Sequence, residues 1–158
     1  MKQLSNQAQV AKLCRKFLKE KGIKASVRSS GYSMGDSIDI NVEGNVKNNV
    51  IRALETEFSK YEMGRFDGMS DCYEYTNKRN DIPQTKYLFV NYSASDELRD
   101  LTKEYLSEEC AITDDASAQR FRGQWLDNVV YRELCDDDSL FWAWLASRHP
   151  EVEIRESL

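Results

Sequence analysis

The chain of 158 residues has a single histidine, His149, and nothing beside it has metal-ligand spacing. A zinc site is therefore not expected, and a nucleophilic serine or cysteine would have only that one imidazole as its base. The four cysteines, Cys14, Cys72, Cys110 and Cys135, form no Cys-x-x-Cys pair. They read as free thiols of a reducing compartment rather than as a disulfide framework. No apolar run approaches the roughly 20 residues of a membrane helix. The opening MKQLSNQAQVAKLCRKF has no apolar core of the signal-peptide kind. Together these absences predict a protein made and kept in the cytoplasm, with no membrane partner.

What is present is charge and aromatic surface. Charged residues make up 31% of the chain, and they are unevenly placed. Residues 1–80 hold 14 Lys and Arg against 10 Asp and Glu, whereas residues 81–158 hold 8 against 17. The first half suits a phosphate backbone or an acidic protein; the second would repel nucleic acid.

The periodicity changes along the chain. Val10, Leu13, Cys14, Phe17 and Leu18 recur at helical spacing and predict one apolar face, with Lys12, Arg15, Lys16 and Lys19 on the other. Ser5 or Asn6 suits the cap and Gly22 the stop. Ile23, Ala25 and Val27, then Ile38, Ile40 and Val42, alternate with polar residues, which predicts two strands of a hairpin. Asn45 is positioned to cap a second helix carrying Val46, Val50, Ala53, Leu54, Phe58 and Tyr61. Gly64–Met69 reads as a turn-rich connector, and Cys72–Tyr75 and Lys86–Tyr92 as two further strands around a loop from Asn77 to Pro83. The order α-β-β-α-β-β predicts an α+β fold: a four-stranded antiparallel sheet with two helices on one face.

Beyond residue 92 the chain reads as an acidic helical extension of the same domain. Ser95-Asp96-Glu97 opens one helix, Ser117–Leu134 gives a second, and Asp138-Ser139 caps a third from Leu140 to Ser147. Glu151–Leu158 reads as a frayed tail or an edge strand.

Several short stretches invite a chemical reading. Gly31-Tyr32-Ser33-Met34-Gly35-Asp36-Ser37 contains the Gly-Asp-Ser of a serine esterase block, without the Asp that such enzymes place three residues before the histidine. It also lacks the lysine of a Walker loop and joins two strands rather than opening a helix. A hairpin connection is the better reading, and it presents Arg28, Ser30 and Tyr32 as candidate contacts for a macromolecule. Arg65, Asp67 and Asp71 cluster in the second glycine-bearing loop, where turn bonding competes with acid–base chemistry as the role of the carboxylates. Lys12, Arg15, Lys16, Lys24 and Arg28 form the alternative, a phosphate-contacting face on the first helix and hairpin. Asp114-Asp115 and Asp136-Asp137-Asp138 lack calcium-loop spacing. In Phe141-Trp142-Ala143-Trp144-Leu145, the helical wheel gives Leu140, Phe141, Trp144 and Leu145 to the core. Trp142 points elsewhere, either under the tail or outward as an anchor for a partner or a second copy of the chain.

Two of these stretches occur together in one known family. Val27–Ile38, with Gly64–Tyr75 and the following Lys86–Val90, resembles the large polyvalent protein-associated domain numbered 29, over about residues 7 to 92. The resemblance implies a protein of phages or conjugative elements, a group associated with protecting incoming DNA from host defences. It carries no catalytic residue set and no cofactor. The expectation that follows is a non-enzymatic accessory protein, acting in the host cytoplasm. It would bind and block a host defence or nucleic-acid-handling component, in the manner of anti-restriction and anti-CRISPR proteins. Its partner would be a host protein or nucleoprotein complex. Direct nucleic-acid binding is the alternative.

Overall fold

Helix α1 (Asn6–Glu20) forms where the 3.6-residue period predicted it, with Val10, Ala11, Cys14 and Leu18 buried. Its first backbone bond runs from Gln9 N–H to the Ser5 carbonyl, but the Ser5 side chain caps nothing. Gly22, at φ 64°, takes the left-handed turn that ends the helix. Leu13, assigned to the apolar face, is instead exposed. The computed structural model describes residues 4–110, 120–121 and 124–158.

The remaining elements are β1 (Ala25–Tyr32), β2 (Gly35–Glu43), α2 (Asn48–Phe58), a 3-10 turn (Ser59–Tyr61), β3 (Arg65–Asp67), β4 (Cys72–Glu74) and β5 (Tyr87–Ser93). After these come α3 (Asp96–Cys110), β6 (Arg120–Phe121), β7 (Gln124–Trp125), α4 (Leu126–Cys135) and α5 (Leu140–Arg148). The chain divides into two compact units, one of Met1–Glu43, Ile51–Ser93 and Leu158, the other of Gly44–Val50 and Ala94–Ser157.

In the first unit the class is α+β, but the sheet is not the predicted antiparallel four. It has three strands in the order β1-β2-β5. β1 and β2 pair antiparallel from Ala25↔Val42 to Tyr32↔Gly35. β5 lies on the other side of β2 and runs parallel to it, from Ser37↔Tyr87 to Glu43↔Ser93. Cys72–Glu74 does not join this sheet; it pairs with Arg65–Asp67 in a separate hairpin. The supposed connector Gly64–Met69 therefore contains a strand. β2 is central, and Ile38, Ile40 and Val42 on one of its faces are fully buried. α1 packs against β1 and β2, and Leu54 and Phe58 of α2 are buried, with the Phe58 ring set edge-on to Phe17 at 5.4 Å.

In the second unit the core is Leu98, Tyr105 and Leu106 of α3, Val129, Val130 and Leu134 of α4, and Phe141, Trp142, Trp144 and Leu145 of α5. Ser95 caps α3 through Leu98 N–H and Ser139 caps α5 through Phe141 N–H, as residue types predicted. Two details differ from expectation, and the tail follows the edge-pairing alternative rather than the frayed one. Residues 120–121 and 124–125 pair as strands instead of continuing a helix to Leu134. Asn45 caps no helix; its side-chain oxygen accepts from Ser95 Oγ. The tail is tied down: Arg155 bridges to Val46, Lys47 N–H donates to the Arg155 carbonyl, and Lys47 pairs with Glu156 at 2.7 Å.

Candidate functional site

The strand registers sort the side chains of the three-stranded sheet between its two faces. Partners in register share a face, so Val27, Ile40 and Val90 stand on the buried side. Arg28, Asp39 and Phe89 stand on the other. By the same alternation Ser30, Tyr32, Ser37 and Tyr87 belong with Arg28. Tyr87 and Phe89, two residues apart on β5, hold their rings nearly parallel, 7° between planes and 6.2 Å between centres.

The β3–β4 hairpin extends this open face. Its Phe66↔Tyr73 pair shares one side, and Tyr73 meets Tyr87 edge-on at 5.1 Å and Tyr75 at 4.9 Å. The Tyr73 hydroxyl donates to the Lys86 carbonyl. Burial, with the Glu62 charge second, raises its pKa well above the ordinary phenol value. Lys86 carries its ammonium over both rings, 4.9 Å from Tyr73 and 5.3 Å from Tyr87, and donates to the Met34 carbonyl at 3.1 Å. Tyr32, Phe66, Tyr75 and Phe89 each leave about half of their surface in solvent. Large apolar surface left exposed around fixed polar groups is the usual mark of an interaction surface.

Two carboxylates hold the face in place. Asp36, from the Gly-Asp-Ser stretch, accepts Lys86 N–H at 2.7 Å and the Thr85 hydroxyl at 3.1 Å, which fastens the start of β5 to the end of the first hairpin. The glycines of that stretch flank the turn rather than occupy it. Gly31 faces Asp36 and Gly35 faces Tyr32, leaving Ser33-Met34 as the connection. Glu62 accepts Leu88 N–H at 3.1 Å on the outer edge of β5, and burial raises its carboxyl above the ordinary glutamate value. Gln84 is buried and donates to the carbonyls of Lys60 and Asn77, with that of Glu62 farther at 3.4 Å, while accepting from Arg79 N–H, so the loop before β5 is pinned from within. Hydrophobic pattern gives no hint of this glutamine.

The second glycine-bearing loop is a four-residue turn, Gly68–Asp71. Asp67 accepts Ser70 Oγ at 2.7 Å and Met69 N–H at 3.0 Å. These two bonds, the serine's first, hold its carboxyl below the ordinary aspartate value. Asp71 takes a left-handed backbone, φ 53°, which aspartate tolerates. Arg65 and Asp67 project from the side of the hairpin opposite Phe66 and Tyr73, so they do not share the aromatic side with Arg28 and Tyr32.

The other sequence candidates separate further. Arg15 donates to the Val27 carbonyl at 2.7 Å and Lys24 pairs with Glu43 at 3.1 Å, which commits two of the five cations of the alternative face. Lys12 and Lys16 are exposed on α1. Of the two readings of Trp142, burial holds and the exposed anchor does not: its indole N–H donates to the Asp136 carbonyl at 2.8 Å and Lys47 stands 5.5 Å over its ring. Leu140, assigned to the core, is 75% exposed. Asp114-Asp115 lies outside the described residues. Among the described residues no group of three His, Cys, Asp or Glu side chains is placed to hold a metal ion, and no helix is long and apolar enough to cross a membrane.

Tyr87, Phe89, Lys86 and Phe66 were not singled out as site residues. The available signal is Tyr87-x-Phe89, two aromatics on the parity opposite Leu88 and Val90.

No curated protein and no solved structure matches the chain. One family model does, over residues 5–107, from the start of α1 into α3 and across every strand of the open face. The chain belongs to the family of large polyvalent protein associated domain 29.

Proposed function

We propose that this protein is a non-enzymatic accessory protein of a phage or mobile element, and that it binds and blocks a host defence or nucleic-acid-handling component in the host cytoplasm. The domain is typical of phage and mobile-element polyvalent proteins. The observation that carries the reading is the open sheet face, where Tyr32, Phe66, Tyr75 and Phe89 stay exposed around Lys86 and Arg28. Aromatic and arginine side chains on a rigid scaffold are what a protein–protein contact concentrates at its centre. Blocking needs only a preformed surface. Arg28, Ser30 and Tyr32 lie on that surface, and Arg65, Asp67 and Asp71 belong to the hairpin at its margin.

The test is protection in cells. Hosts carrying a restriction or a CRISPR nuclease are challenged with phage, with and without the protein. Expression raises plating efficiency against at least one nuclease system, and a Tyr32→Ala/Phe89→Ala variant that melts normally does not. Equal protection by the variant would remove the sheet face from the reading; no protection in any nuclease host would remove the function.

A second reading, direct contact with single-stranded nucleic acid, is favoured by one observation. The parallel Tyr87 and Phe89 rings beside the Lys86 ammonium form the kind of platform on which unpaired bases stack. It predicts oligonucleotide binding that weakens with salt and with Phe89→Ala. The α1 face supports it less, since Arg15 and Lys24 are engaged elsewhere.

A further inference from the structure

The solvent side of α1 carries a groove of about 960 Å³ that the sheet face does not use. Its apolar lining comes from Leu4, Leu13 and Pro83, and its charged lining from Lys12, Lys16, Lys19 and Arg15, the last of which is bonded to the Val27 carbonyl. Leu4, just before α1, and Leu13, on a helix whose opposite side already supplies the core, are both exposed. The walls are held. Gln9 donates to the Leu4 carbonyl at 2.9 Å, and Pro83 adjoins Gln84, whose amide donates to the Lys60 and Asn77 carbonyls and pins the loop.

The charges of the groove have little to neutralise them. Lys16 meets Glu20 only at 3.8 Å, both side chains largely in water, and such a pair is weak. Lys12 and Lys19 have no ion-pair partner among the described residues. An occupant that brings carboxylates to this rim and apolar side chains to Leu4, Leu13 and Pro83 satisfies both features at once. The backbone of α1 is bonded within its helix, so an extended chain would find no ladder to join here. The occupant must satisfy its own backbone. Residues 9 to 19 of α1 span about 15 Å, the length of some three helical turns.

We propose that this groove docks an acidic amphipathic helix of a partner protein, with leucine-like residues at i, i+3, i+4 and i+7 and carboxylates on both flanks. Nucleic acid would meet the lysines but would gain nothing from the leucine and proline lining. The site is separate from the sheet face and stands or falls without it.

The test uses the full chain and four fluorescent probes in an anisotropy titration. They are a 14-residue helix-forming peptide with leucine at those positions and glutamate flanks, the same peptide with lysine flanks, a leucine-to-serine version, and a single-stranded oligonucleotide. The glutamate–leucine peptide binds at least about tenfold tighter than either altered peptide. Leu13→Ser and Lys12→Glu/Lys19→Glu each weaken it by about tenfold or more. Both changes are at exposed positions, and thermal melts confirm that the variants fold. Tyr32→Ala/Phe89→Ala leaves this binding unchanged, which separates it from the sheet-face reading. The proposal is overturned if the lysine-flanked or serine peptide binds equally well, if no peptide binds, or if the oligonucleotide binds this face with Leu13→Ser having no effect.

Discussion

Asp36 closes the first hairpin onto the last strand of its sheet: its Oδ1 accepts the Lys86 amide at 2.7 Å, fifty positions away in the chain. The same oxygen takes the hydroxyl of Thr85, which is fully buried. The aspartate of an apparent nucleophile motif thus serves as an acceptor for backbone that would otherwise lack one.

Replacing Asp36 by alanine strands the Lys86 amide, while the Thr85 hydroxyl keeps the Tyr87 carbonyl at 3.3 Å. The expected loss is about 1–3 kcal/mol of unfolding free energy, read as a lower urea midpoint. Asp36→Asn keeps an acceptor oxygen and should recover most of it. Equal losses in the two variants would show that charge, rather than the acceptor, matters.

Gly64 sits against the strand beside it. A Cβ built there would lie 1.8 Å from the Glu74 carbonyl oxygen, with backbone and not a flexible side chain in the way. Gly64→Ala should cost about 1–3 kcal/mol or more, and should speed amide hydrogen exchange in Arg65–Asp67 and Cys72–Glu74 before it affects β1 and β2. Uniform exchange rates across both sheets would contradict that local account.

The raised Glu62 carboxyl gives a pH signature. The folded state holds this proton more tightly than the unfolded chain does. Its contribution is therefore full below the ordinary value of 4.5 and is lost as pH rises through the raised one. Glu62→Gln keeps an oxygen for Leu88 N–H and removes the charge. The melting temperature of the variant, relative to the original, should be higher at about pH 7 than at about pH 4. A difference that stays constant across this range would exclude burial as the cause.

Trp142 is buried in the core, and Leu140, which helical spacing assigns to it, is exposed. Trp142→Ala should cost about 3–5 kcal/mol, because it opens the core of the second unit and removes one of the two donors of the Asp136 carbonyl, leaving it the Ser139 N–H. Leu140→Ala should change stability by less than about 0.5 kcal/mol. Chemical denaturation followed by circular dichroism compares the two, and a Leu140→Ala loss as large as that of Trp142→Ala would contradict the assignment.

Much of this was legible in the chain. The Val10, Cys14, Leu18 spacing marks the buried side of α1, and the alternation through Ile38, Ile40 and Val42 marks β2. The partner of β5 was not legible, because Leu88 and Val90 alternate in the same way whether their neighbour runs parallel or antiparallel. β3 is three residues long, too short for a period to emerge from the glycines around it. At α5, four of nine residues are buried across a broad arc, so a narrow helical stripe leaves Trp142 undecided and misplaces Leu140. The candidate surface was half visible. Arg28, Ser30 and Tyr32 follow from the hairpin alternation, whereas Tyr87 and Phe89 join them only through the parallel register with β2.

That parallel register has a consequence for how the protein is made. β2 is complete at Glu43, yet its second neighbour begins only at Tyr87, because parallel strands cannot be joined by a tight turn. On a ribosome adding about 5–20 residues per second, the interval lasts a few seconds. Throughout it, a strand bearing Ile38, Ile40 and Val42 has one unsatisfied edge. A longer chain that carries this domain passes through the same interval each time it is translated, and chaperones that shield strand edges have their opportunity there.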